Sequence, residues 1–209
     1  MDREYFQKQL RRVETDLNFD DGYQLLYGPW KTIGSQNIAC ISLNPSLRND
    51  DHKKMISDER GNSYQVEEFT TSSPITAQIL KMCSYLEVSP EKVLMGTICP
   101  FRSKDWNTMK KDNKMVMERG LAIGREFWDQ ALSNRMNLVI ALGKEATDTL
   151  CQLFNGEKEL EIRANYQNTT LKRFRTNRNF KIISLPHLSR FLIFSRLACT
   201  APLQKIFAV

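Results

Sequence analysis

The chain has 209 residues, 41% of them hydrophobic, with five cysteines and a formal charge of +6, enough to close one substantial core. Its apolar runs are too short to cross a bilayer, its first 21 residues are charged throughout, and it holds no Cys-x-x-Cys pair. Those features argue against a membrane span, a signal or transit leader, a zinc centre and an iron–sulfur cluster.

An opening helix is expected from Phe6, Leu10, Val13 and Leu17. The run 37–43 reads as a strand buried on both faces, because it is almost continuously apolar. It ends in Asn44-Pro45-Ser46 and then a charged cluster. Asp50 to Tyr64 is polar and reads as a loop; Asp50, Asp51 and His52 could supply a base or bind a cation there, though a solvated loop explains them too. Ser72-Ser73-Pro74 is a cap-and-start signal for a helix carrying Ile75, Ile79, Cys83 and Leu86. A second strand is expected at 92–98, closing on Phe101-Arg102. Val116, Gly120, Ile123, Phe127 and Ala131 then recur at helical spacing, followed by a third strand at 137–142. A helix after Gly143 carries Ala146, Leu150 and Leu153.

Residues 155–178 are polar and expected to contain a hairpin or a basic loop, before a fourth strand at 180–185. After Glu161 the chain holds no acidic residue. From Ile162 to Val209 it holds nine Lys or Arg, so that this stretch is +9 and the other 161 residues are −3. An imbalance of this size is the footprint of a polyanion, most often nucleic acid. A merely solvated basic face usually interleaves carboxylates.

Strands alternating with helices predict an α/β fold: three layers, with a central four-stranded parallel sheet and helices on both faces, as one domain over 1–209. Ligands of such sheets bind beyond the carboxyl ends of the strands. Two of those ends carry chemistry. Pro45 forces Asn44 out of helical geometry, so its amide can accept from a water and donate to a carbonyl at once; a plain helix cap is the other reading. At the fourth end, "LPHLSR", His187 could donate to an oxygen gaining negative charge, or could simply be a satisfied turn histidine.

Together these ends resemble the uracil-DNA glycosylase superfamily, and most closely its branch acting on mismatched or damaged pyrimidines through an Asn-Pro motif. "SLNPS" (Ser42–Ser46) is similar to the superfamily's first motif, "LPHLSR" (Leu185–Arg190) looks like a shortened second motif, and "NLVIALGKEA" (Asn137–Ala146) resembles its strand-Gly-helix segment. The resemblance covers about Asn37 to Arg196.

It implies a uracil-DNA glycosylase-like fold and a monofunctional DNA N-glycosylase, with DNA as partner and with neither metal nor cofactor. Asn44 would hold the hydrolytic water and His187 would hydrogen-bond the departing base. Ser46, Thr97 and Phe101 would line the base pocket; Phe101, at the end of the second strand, could stack on the base or plug the rim of the core. Leu188 (or Phe191) would wedge into the vacated stack, with Arg190 bracing the gap and Ser189 on the phosphate; Leu188 could instead staple the chain onto the final helix. Arg48, Lys144, Arg173 and Arg175 would complete the DNA contacts. A cytoplasmic monomer is expected, acting in repair or in defence against foreign DNA with hypermodified bases. The alternatives are a non-catalytic nucleic-acid-binding protein on the same fold and a small-nucleotide hydrolase using the same strand-end pocket.

Overall fold

The computed structural model describes residues 1–47, 53–68, 73–132 and 135–208. It is an α/β protein built on a six-stranded mixed sheet in the order β4-β2-β5-β8-β7-β6. The strands are β2 (Ile38–Ser42), β4 (Val93–Thr97), β5 (Leu138–Leu142), β6 (Glu157–Arg163), β7 (Thr170–Arg175) and β8 (Lys181–Leu185). A separate parallel pair joins β1 (Tyr23–Gln24) to β3 (Lys54–Met55). The helices are α1 (Arg3–Leu17), α2 (Ser63–Glu68), α3 (Pro74–Tyr85), α4 (Trp106–Asp112), α5 (Lys114–Ala131), α6 (Lys144–Leu153) and α7 (Thr200–Phe207).

The four strands expected from the sequence form the contiguous parallel half, β4-β2-β5-β8. The expectation of a four-stranded, all-parallel sheet is corrected by the hairpin β6–β7, which pairs antiparallel with β8 and extends the sheet by two strands. Five of the seven residues of β6 are exposed and only Leu160 and Ile162 are half-buried, so β6 lacks the continuous apolar run of a doubly covered strand.

Successive residues of the parallel strands feed opposite cores. Ala39, Ile41, Val139, Ala141 and Ile182 pack into a cluster with residues of α1, α5 and α6. Cys40, Ile140, Leu142, Ile183 and Leu185 pack into another with α3 and α7. This period-two division is what a sheet sandwiched between helix layers requires. All five cysteines are free, four of them buried. Burial pushes the thiols of Cys83 and Cys99 up to about 12, in keeping with core packing.

The chain leaves β2 toward β4 on one side and leaves β5 toward β8 on the other. The carboxyl ends of β2 and β5 therefore flank the point where the strand order reverses, and a crevice opens there because their connections diverge. Gly143, at φ +97°, makes the turn from β5 into α6 in a backbone region that other residues avoid. Among the described residues, no helix is long and apolar enough to cross a membrane.

Candidate nucleotide-binding cavity

A cavity of about 540 Å³ opens at this reversal point. The end of β2 supplies Leu43, Asn44, Pro45 and Ser46, and the end of β5 supplies Gly143, Lys144 and Glu145. The end of β8 supplies Pro186, His187, Ser189, Arg190 and Phe191, and the segment after β4 supplies residues 102–107. The ends of β2 and β4 are stitched together: the Ser103 amide donates to the Pro45 carbonyl (3.2 Å) and the Leu47 amide to the Ser103 carbonyl (2.9 Å).

Asn44 and His187 thus share one cavity. Asn44 is half-buried and its Nδ2 donates to the Pro45 carbonyl at 3.1 Å, which fixes the amide's orientation, and no described residue donates to its Oδ1. His187 Nδ1 lies 2.7 Å from Ser189 Oγ and accepts from the Ser189 backbone amide at 3.4 Å. An accepting Nδ1 puts the ring proton on Nε2. Burial, reinforced by the Arg190 charge and opposed by Glu145, lowers the His187 pKa to about 4. The ring is therefore a neutral donor at physiological pH.

Several expected site residues lie elsewhere. Thr97 is fully buried, with its hydroxyl donating to the Gln24 carbonyl (3.1 Å). Phe101 is a core residue in edge contact with Phe19 and Tyr23. Neither lines the cavity, because both point inward where β4 ends. Leu188 is also fully buried, in the cluster with Ile193 and Leu203, so it is a packing residue and not an exposed wedge. Phe191, beside it, does line the cavity.

Arg173 is half-buried, its Nε 3.4 Å from Glu159 and its Nη1 donating to the Ile206 carbonyl at 3.3 Å. Arg175 is paired with Glu157 at 2.6 Å. Lys144 lines the cavity and is ion-paired with Asp148. Ser46 is exposed at the rim, as are Ser189 and Arg190. Arg48, Asp50, Asp51 and His52 lie outside the described residues.

The basic tail also reads differently in space. Lys172, Arg173, Arg175, Arg178 and Lys181 pair with Glu161, Glu159, Glu157, Asp129 and Glu159 in turn. Carboxylates absent from the tail's sequence are supplied by the neighbouring strand and by α5, so five of its nine cations are answered within the fold.

Several wall residues had no role assigned from the sequence, among them Tyr27, Tyr64, Arg102 and Glu145. Tyr27 and Tyr64 line the wall with ring centroids 5.1 Å apart, Tyr64 being buried in the core as well. Arg102 is 6% exposed on the wall. Glu145 receives Lys110 at 2.7 Å; burial would raise its carboxyl, but the Lys110 hydrogen bond and its own amide hold it below the usual range. Position beside an expected strand end was the available signal for Arg102 and Glu145. Nothing local marked the tyrosines, which tertiary packing brings in. No protein-family model matches this chain, and no curated protein matches it either.

Proposed function

We propose that the chain is a DNA glycosylase, hydrolysing the N-glycosidic bond of a damaged, mismatched or modified pyrimidine flipped into this cavity. The observation that carries the reading is the joint presence of Asn44 and neutral His187 on the wall of one strand-end cavity. The motif resemblance to the uracil-DNA glycosylase superfamily, and the uracil-DNA glycosylase-like fold it implies, support the same reading.

The chemistry needs few parts. The C1′–N bond breaks with its electron pair moving onto the base, leaving an oxocarbenium-like sugar. Nε2–H of His187 donates a hydrogen bond to a base oxygen as charge builds there, and the ring remains neutral. Asn44 Oδ1 accepts from a water, aiming its oxygen at C1′. The water oxygen bonds to C1′ and its surplus proton leaves to solvent or to the departed base. Each preorganised polar contact of this kind is worth about 10²–10³ in rate. Tyr27 and Tyr64 offer faces for a base, a contact that tolerates many base identities.

A second reading keeps the bond and the cavity but takes a free nucleotide. Two observations favour it: Leu188 is buried and so is not presented to a base stack, and most of the tail cations are already paired. Abasic-site formation on duplexes carrying uracil, T:G, hydroxymethylcytosine or glucosylated cytosine tests the first reading, with base release from free nucleotides run in parallel. The DNA reading expects cleavage of at least one duplex, with loss of cleavage but retention of binding in Asn44→Ala. Base release from free nucleotides alone selects the second reading. Absence of product from every substrate, with DNA still bound, removes the enzymatic reading and leaves a nucleic-acid-binding protein.

A further inference from the structure

Arg102 carries a charge that no carboxylate among the described residues answers. It is 6% exposed, it lines the cavity, and its three protein partners are all neutral. Nε donates to the Lys53 carbonyl (3.2 Å), Nη1 to the Ser46 carbonyl (3.0 Å) and Nη2 to Gln24 Oε1 (2.9 Å). A guanidinium has five N–H donors, so one on each Nη has no acceptor among the described residues. No described carboxylate pairs with it either. Gln24 leads on through Ser63 to the buried Asp58, but Arg60 already grips both oxygens of that carboxylate, at 2.9 and 2.8 Å.

Withdrawing an ion from water is strongly unfavourable unless a counter-charge meets it. The surroundings point the same way. The Trp106 indole N–H, on the same wall, is buried without an acceptor. Lys104 and Arg190 add positive charge at the cavity. The two carboxylates that line it among the described residues are engaged, Asp105 in capping α4 through the Thr108 amide (2.8 Å) and Glu145 with Lys110. Among the described residues, the wall thus carries more positive than free negative charge.

We propose that Arg102 is the receptor for a phosphate group of the cavity's ligand. One open N–H on each Nη matches two oxygens of a phosphate, the bidentate pairing at which arginine surpasses lysine. The assignment holds whatever bond the cavity breaks, since a free nucleotide, inorganic phosphate and a strand present the same group. Its failure leaves the abasic-site result untouched, because that assay does not enter here.

Calorimetric titration of the wild-type protein with dUMP, deoxyuridine, inorganic phosphate and a dinucleotide with one internal phosphodiester tests it, alongside Arg102→Lys and Arg102→Met. The expected result is at least tenfold tighter binding of dUMP than of deoxyuridine, a gap that shrinks below threefold in both variants. Competition by inorganic phosphate assigns the site to the bare group, and dUMP binding without such competition assigns it to the nucleotide. A dinucleotide that binds with the same Arg102 dependence where dUMP does not assigns it to a strand.

Because loss of a buried ion can unfold the chain, a second readout uses the wild type alone. The Nε–H resonance of Arg102 is expected to shift saturably with the phosphate-bearing ligand. Equal affinity for dUMP and deoxyuridine with no dinucleotide binding, a gap that survives in Arg102→Met, or an unmoved Arg102 resonance at saturation overturns the assignment, as does the absence of any binding.

Discussion

His187 gives the cavity a pH signature. Burial holds its pKa near 4, against 6.5 for an ordinary histidine. Between those values the unfolded chain binds a proton that the native ring excludes, so the native state loses stability as pH falls from 6.5 toward 4 and keeps it fully above 6.5. Urea midpoints at pH 7 and pH 5 are expected to differ less in His187→Asn than in the wild type. Bond cleavage that relies on the neutral ring is expected to stay level from pH 8 to pH 5 and to fall only near pH 4. Leu188 makes the opposite kind of prediction. As a fully buried side chain, its replacement by Ala is expected to cost about 2–5 kcal/mol of stability, read by denaturant unfolding. A surface wedge would instead lose DNA distortion at unchanged stability.

At the scale of elements, the hairpin β6–β7 decides how much positive charge is offered to a polyanion. Glu157, Glu159 and Glu161 on β6 hold Arg175, Arg173, Lys181 and Lys172. Replacing all three by Gln is expected to strengthen nucleic-acid binding and to steepen its dependence of log K on log salt by roughly 2–3, measured by titration between 50 and 200 mM salt. A second element-level prediction concerns α5 against the end of β4: a Cβ on Gly124 would meet the Ile98 carbonyl oxygen at 1.9 Å. Gly124→Ala is expected to destabilise by about 1–3 kcal/mol or more, seen as a lower denaturation midpoint.

The elements also differ in how openly the sequence declared them. The four parallel strands were legible to within about a residue, because burial on both faces writes an unbroken apolar run. Helices α1, α3, α5 and α6 were legible from apolar spacing and, at Ser73-Pro74, from a side-chain cap that accepts the Thr76 amide at 3.2 Å. Strand β6 was not, since Glu157, Glu159 and Glu161 alternate along it, each paired with a cation from another strand. The two-residue β1 and β3 and the short α2 and α4 carry too little period to announce themselves.

Across the whole molecule, the reversal of strand order between β2 and β5 brings Asn44 and His187 to one cavity although 142 intervening residues separate them. That juxtaposition was expected from strand ends alone, since where strands finish is a local signal and where ligands bind in such sheets is a general one. The walls were harder to foresee. Thr97 and Phe101 belonged on the list by position, but the direction of a side chain at a strand end is set by what packs beneath it. Arg102 was placed at a strand end but given no role, because sequence does not show whether a cation has a counter-charge.

Asn44 and His187 are expected to act on one bond. The direct measurement is the single-turnover rate of base release by wild type, Asn44→Ala and His187→Ala on the best substrate, with binding measured in parallel. The account predicts a rate loss of about 10²-fold or more in each variant, with affinity changed less than about threefold. A wild-type rate in either variant, or losses explained wholly by weaker binding, would contradict it.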